Sequence, residues 1–102
     1  MPRVFFSYYL RDPERADEFA TKMQEEVAPA AFAEESVLDW KLHRSLDWPG
    51  SSDDRPDFVS VADITDLRLW AGGASDSILT THGALGDLVK RISMTVTDDF
   101  DG

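Results

Sequence analysis

Val37-Leu38-Asp39-Trp40-Lys41-Leu42-His43-Arg44-Ser45-Leu46 alternates for most of its length. Leu38, Trp40 and Leu42 point one way; Asp39, Lys41 and His43 point the other. Period-two alternation marks a strand whose two faces meet different surroundings. The second face carries an acid, a base and one of the chain's two histidines. Such a strand needs neighbours to pair with and a layer to cover its apolar side.

The segments around it supply both. Arg3–Leu10 is rich in aromatics and reads as a buried strand, with Val4, Phe6, Tyr8 and Leu10 on one face and Phe5, Ser7 and Tyr9 on the other. Arg11-Asp12-Pro13 starts a helix. Asp12 suits the N-cap, Pro13 the first helical position and Glu14 the first turn. Ala16, Phe19, Ala20, Met23 and Val27 make its apolar stripe. Pro29 ends or kinks it, and Ala30–Ala33 can add a turn that brings Phe32 to the core. Asp47 to Asp57 is a loop by its Pro-Gly, Ser-Ser and acids, and it carries Trp48. Phe58–Ile64 is a third strand. Thr65 or Asp66 caps a short helix with Leu67, Leu69 and Trp70, which Gly72-Gly73 breaks. Ser75 or Asp76 caps a second piece running from about Ser77 to Lys90. Ile78, His82, Leu85 and Val89 share one face of that piece. Ile92–Thr97 is the final strand, and an acidic tail follows with Phe100 as its anchor.

The order β-α-β-β-α-β, with the second helix broken, predicts one domain over residues 1–102 of the α+β class. It is the ferredoxin-like split βαβ arrangement: a four-stranded antiparallel sheet with helices on one face. Alternation assigns Val4, Phe6, Tyr8, Leu38, Trp40, Leu42, Val59, Val61, Ile92, Met94 and Val96 to the covered face. Phe5, Ser7, Tyr9, Asp39, Lys41, His43, Ser60, Ala62, Ser93 and Thr95 fall on the other. On that side Phe5, Tyr9, Phe58 and Ile64 would leave an apolar patch, which predicts a partner. The expected partner is a second copy, in a barrel-like homodimer closed sheet to sheet.

Composition narrows the function classes. The chain has 20 Asp and Glu against 10 Lys and Arg, a formal charge of −10. That argues against nucleic acid, which needs a basic footprint, and against an anionic membrane surface. No apolar run approaches the roughly 20 residues that cross a bilayer. Met1-Pro2-Arg3 leads into a strand without a signal-peptide pattern, so a cytoplasmic location is expected. The chain has no cysteine, which removes disulfides, thiolate ligands and a thiol nucleophile. No His-x-x-x-His or Glu-x-x-His spacing predicts a metal, and no phosphate-cradling loop or nucleophile elbow is present. No cofactor is expected.

The chain resembles the dimeric α/β-barrel superfamily, particularly its EthD-like and antibiotic-biosynthesis-monooxygenase-like groups. The segments carrying the likeness are Val4–Leu10, Glu26-Val27-Ala28-Pro29, Val37–Leu46 and Ala62-Asp63-Ile64-Thr65-Asp66-Leu67-Arg68-Leu69-Trp70. EthD-like proteins often carry a histidine just before that Ala-Pro. Here the stretch is Glu25-Glu26-Val27-Ala28-Pro29, so a role tied to that histidine is missing. The superfamily includes cofactor-free oxygenases of aromatic polyketides, lactone isomerases, haem-degrading enzymes and members without known activity. Membership therefore implies fold more strongly than function.

The resemblance also implies a ligand pocket between sheet and helices, lined by His82, Trp70, Trp40 and Tyr8. His82 would then be the catalytic acid or base; the other reading is a core-edge histidine satisfied by a backbone carbonyl. Tyr9, Asp39, Lys41 and His43 lie on the expected dimer face. They read as an acid–base cluster or as a set of interfacial contacts that fixes register between subunits. Two functions follow. One is a small cofactor-independent enzyme, oxygenase- or isomerase-like, acting on an aromatic or polyketide-like small molecule. The other is a non-catalytic dimeric ligand-binding or stress-type protein.

Overall fold

Four strands form one antiparallel sheet in the order β2-β3-β1-β4. They are β1 (Arg3–Leu10), β2 (Val37–Arg44), β3 (Phe58–Ile64) and β4 (Val89–Thr97). The computed structural model describes residues 1–50, 53–72 and 82–100. β1 lies between β3 and β4, and β2 closes the sheet beyond β3. This is the strand order of the split βαβ unit.

The helical connection from β1 to β2 starts as its sequence predicts. Asp12 is extended and its carboxylate accepts the Glu14 N–H at 3.0 Å, with Pro13 in the first turn. A 3₁₀ turn leads into α1 (Ala16–Lys22). Pro29 does not end the helix. A π-helical turn, Met23–Val27, precedes α2 (Ala28–Phe32). Pro29 has no N–H to offer the carbonyl four residues back, and its ring would crowd that turn. The wider turn, closed by the Ala28 N–H on the Met23 carbonyl, lets the chain continue. Phe32, expected at the core, is exposed instead.

Phe19, Met23 and Val27 of the apolar stripe are buried against the sheet. Phe19 packs its ring on Tyr8 and Phe58, with centroids 5.3 and 4.8 Å away. This contact fixes which face the helices cover, and it corrects the assignment for β3. Residues directly opposite one another in a sheet share a face. Val4 stands opposite Ala62, Phe6 opposite Ser60 and Tyr8 opposite Phe58. Phe58, Ser60, Ala62 and Ile64 are therefore the covered set, all buried. Val59 and Val61 face the open side. The expected open patch changes accordingly, from Phe5, Tyr9, Phe58 and Ile64 to Phe5, Tyr9, Val59 and Val61.

Leu38 is also corrected. The register shifts between Val37 and Asp39, and this irregularity leaves Leu38 52% exposed. Trp40 and Leu42 keep their predicted side, and Trp40 is buried.

Residues 67–72 are helical. Of the two candidate caps, Asp66 takes the role: its carboxylate accepts the Leu69 N–H at 3.0 Å. Of the predicted break at Gly72-Gly73, Gly72 is still helical; Gly73, the caps Ser75 and Asp76, and Ile78 lie outside the described residues. The second helical piece does not reach Lys90. Residues 82–83 are helical, 84–88 form turns, and β4 begins at Val89. Gly83 and Gly86 disfavour further helix, and the strand pairing of Leu10 with Val89 takes over.

Candidate functional site

A polar chain, buried at Ser60 and Tyr8 and part-buried at His82, joins β3, β1 and the segment that leads into β4. The Tyr8 hydroxyl lies 3.0 Å from Ser60 Oγ and 3.0 Å from His82 Nε2. Tyr8 and Ser60 come together because Ser60 stands opposite Phe6, one step diagonally from Tyr8 on the same face. His82 comes from the segment before β4 and meets the covered face of the sheet at Phe6 and Tyr8. Its segment is pinned to the start of the first helix: the Arg11 N–H donates to the Leu88 carbonyl at 2.9 Å, and Arg11 Nε to the Gly86 carbonyl at 3.1 Å. Leu85 and Leu88 sink into the core and hold the turn down.

Aromatic rings frame the chain. The His82 ring meets Phe6 edge-on at 4.6 Å and Tyr8 at 5.5 Å. Trp70 is buried, 6.5 Å from Phe6. Burial among these groups pushes the His82 imidazolium down to about 4, so the ring is neutral near pH 7. Burial raises the Tyr8 phenol, against a smaller opposing effect of its bond to Ser60. The site is thus a neutral imidazole held by a phenol that keeps its proton. It can accept a proton from a ligand or donate a hydrogen bond to one.

Of the residues expected to line a pocket, His82 and Tyr8 are in direct contact and Trp70 joins them through Phe6. Trp40 sits in the core on β2, opposite Ala62; among the described residues no ring contact links it to Tyr8 or His82. Ser60 was missed because alternation placed it on the open face. Phe6 was read only as core. Residues 73–81 lie outside the described residues.

The open face gathers the other expected group. Asp39 and Lys41 form a 3.9 Å ion pair, and His43 is exposed opposite Val59. Tyr9 lies under the Arg91 guanidinium at 3.9 Å, and Arg91 also reaches Asp54 at 3.2 Å. Phe5, Val59 and Val61 are half-buried among them.

Comparison with solved structures identifies the architecture. An EthD (ethyl tert-butyl ether D) family protein from Bacillus halodurans C-125 superposes with a TM-score of 0.75 at 14% identity, covering 98% of this chain and 99% of its own. A candidate antibiotic biosynthesis monooxygenase from Deinococcus radiodurans gives 0.74 at 15% identity, covering 100% and 95%. The chain has the ferredoxin-like fold of the EthD-like and antibiotic-biosynthesis-monooxygenase-like proteins. A ferredoxin-like protein of unknown function from Bacteroides fragilis, described as dimeric, superposes at 0.66 with 12% identity, covering 96% and 95%. No protein-family model matches the chain, and no curated protein matches it in sequence. At these identities the EthD-like likeness is one of fold. Among the described residues no helix is long and apolar enough to cross a membrane.

Proposed function

We propose that this chain is a small cofactor-independent enzyme, oxygenase- or isomerase-like, acting on an aromatic or polyketide-like molecule between sheet and helices. The observation that carries this reading is the continuous Ser60–Tyr8–His82 hydrogen-bond chain beside Phe6 and Trp70. For His82 to act as a base through Nδ1, its Nε2–H donates to the Tyr8 oxygen and the Tyr8 O–H donates to Ser60. Tyr8 is then a positioning residue that orients the ring and supports the imidazolium once it forms. A planar phenol or enolisable ketone, stacked near Trp70, would lose its proton to His82. That step is common to isomerisation and to cofactor-free oxygenation. The test is a panel of planar phenols and polycyclic enolisable ketones, followed by absorbance and oxygen uptake. His82→Gln is expected to lower kcat/KM by roughly 100-fold on any accepted substrate. Unchanged turnover removes His82 from the chemistry.

A second reading is a non-catalytic dimeric ligand-binding protein. One observation favours it: among the described residues every buried side-chain polar atom already has a partner within the protein, as in an ordinary satisfied core. Absence of turnover across the panel supports this reading.

Both readings share the homodimer. Phe5, Val59 and Val61 form the centre of the open face, with Tyr9, Asp39, Lys41 and His43 around it. A second copy closing on this face gives a sheet-to-sheet barrel. Light scattering is expected to return twice the 11.4 kDa chain mass. Val61→Glu, which puts a charge at the centre of the face, is expected to return one. A wild-type mass that stays monomeric at every concentration sinks the dimer.

A further inference from the structure

A hollow of about 190 Å³ opens at the end of the sheet where β1 passes into the first helix. Leu10, Ala16 and Phe58 form its buried apolar floor, and Arg44 and Arg55 line it together with Asp47 and Asp57. Arg44 is in register with Phe58, so it projects on the helix side of the sheet. Its guanidinium stands 5.8 Å over the Phe58 ring, a contact that pre-orients the planar fork.

Arg3, Arg15, Lys41, Arg55 and Arg91 each pair with an acid. Among the described residues Arg44, like Arg11, Lys22, Arg68 and Lys90, has no ion pair, and of these five it alone lines the hollow. The two acids of the lining are themselves engaged. Asp57 accepts the Leu10 N–H at 2.8 Å, which secures the end of β1. Asp47 lies 3.7 Å from Arg55.

We propose that this hollow binds a small organic carboxylate. The carboxylate takes the Arg44 fork in bidentate fashion, and a flat apolar body rests on Leu10, Ala16 and Phe58. Arg55 is the secondary cation, partly neutralised by Asp47. A phosphate dianion fits less well, because Asp47 and Asp57 oppose its second charge. The repulsion of the distant acids is screened beyond about 8 Å at physiological ionic strength. The site stands apart from His82 and does not rest on that residue's role.

The test is a titration of benzoate into the full-length ¹⁵N-labelled protein, with benzamide and phenyl phosphate in parallel. Saturable shifts at the Leu10 and Phe58 amides are expected, at roughly millimolar affinity for so small a ligand. Benzamide, the same shape without the charge, is expected to bind at least about tenfold more weakly. Arg44→Gln should cost a similar factor, and Arg44→Lys should cost less. Asp47→Asn, which releases Arg55, should tighten binding. The benzoate–benzamide comparison uses the wild-type chain and needs no variant to fold. Equal affinity for benzoate and benzamide overturns the proposal, as does benzoate binding unchanged by Arg44→Gln. Tighter phenyl phosphate overturns the carboxylate assignment, and an absence of saturable shifts up to tens of millimolar overturns the site.

Discussion

Phe19→Ala is expected to lower the unfolding free energy by about 3–5 kcal/mol. Phe19 is 0% exposed and touches both Tyr8 and Phe58. Truncation removes the ring that joins α1 to β1 and β3, and it leaves a cavity lined by rigid aromatic side chains. Strand and helix backbones cannot collapse far into such a space, so both the lost transfer energy and the cavity cost are incurred. For a domain of this size each kcal/mol moves the melting temperature by about 4–8 °C, so a fall of more than about 12 °C is expected. Phe32→Ala is the control. Phe32 is 55% exposed, and its truncation should change stability by less than about 0.5 kcal/mol. Urea melts of the two variants measure both. A Phe19→Ala loss under about 1 kcal/mol would overturn the packing of Phe19 between α1 and the sheet.

Acid should weaken the fold through His82. Burial depresses its imidazolium to about 4 in the folded protein, against about 6.5 in the unfolded chain. Between those values the unfolded state binds more protons, so stability rises with pH. The contribution is fully present above about pH 6.5 and is lost as pH falls toward 4. A shift of that size converts to at most about 3 kcal/mol. The ring is partly solvated, and screening reduces the effect to the order of 1–2 kcal/mol. Carboxylates titrate at the lower end of the same window, so the wild-type curve alone does not isolate the histidine. The difference between wild type and His82→Gln does. It should be flat above pH 7 and fall by 1–2 kcal/mol towards pH 4.5. A difference curve with no slope between pH 7 and 4.5 would contradict a part-buried, neutral His82.

Local pattern was enough for most of the architecture. Alternation marks β1, the body of β2 and β4, because each has one plainly apolar side. Asp12-Pro13 and the Ala16–Val27 spacing mark the first helix, because capping and helical periodicity act over a few residues. The order of these elements specifies the ferredoxin-like sheet. Periodicity likewise put His82 and Tyr8 on core-facing sides; a shared pocket for them was only what the family resemblance implied.

Long-range contact decided the rest. Phe58-Val59-Ser60-Val61-Ala62-Asp63-Ile64 has apolar residues on both parities, so alternation alone cannot say which side is covered. Pairing with β1 and the weight of Phe19 on Phe58 settle it, and with it the entry of Ser60 into the Tyr8–His82 chain. The irregularity at Leu38 is likewise a matter of register with β3. Arg44 follows Trp40 and Leu42 on the covered face, but only the end of the helical layer leaves it facing a hollow instead of the core. The sequence by itself determined the elements and their amphipathic sides, since those are set by neighbours along the chain. Which polar groups meet inside, Ser60 with Tyr8 and His82, was decided by tertiary structure. Strand register and helix docking bring together residues 52 and 74 positions apart, and no local spacing encodes that meeting.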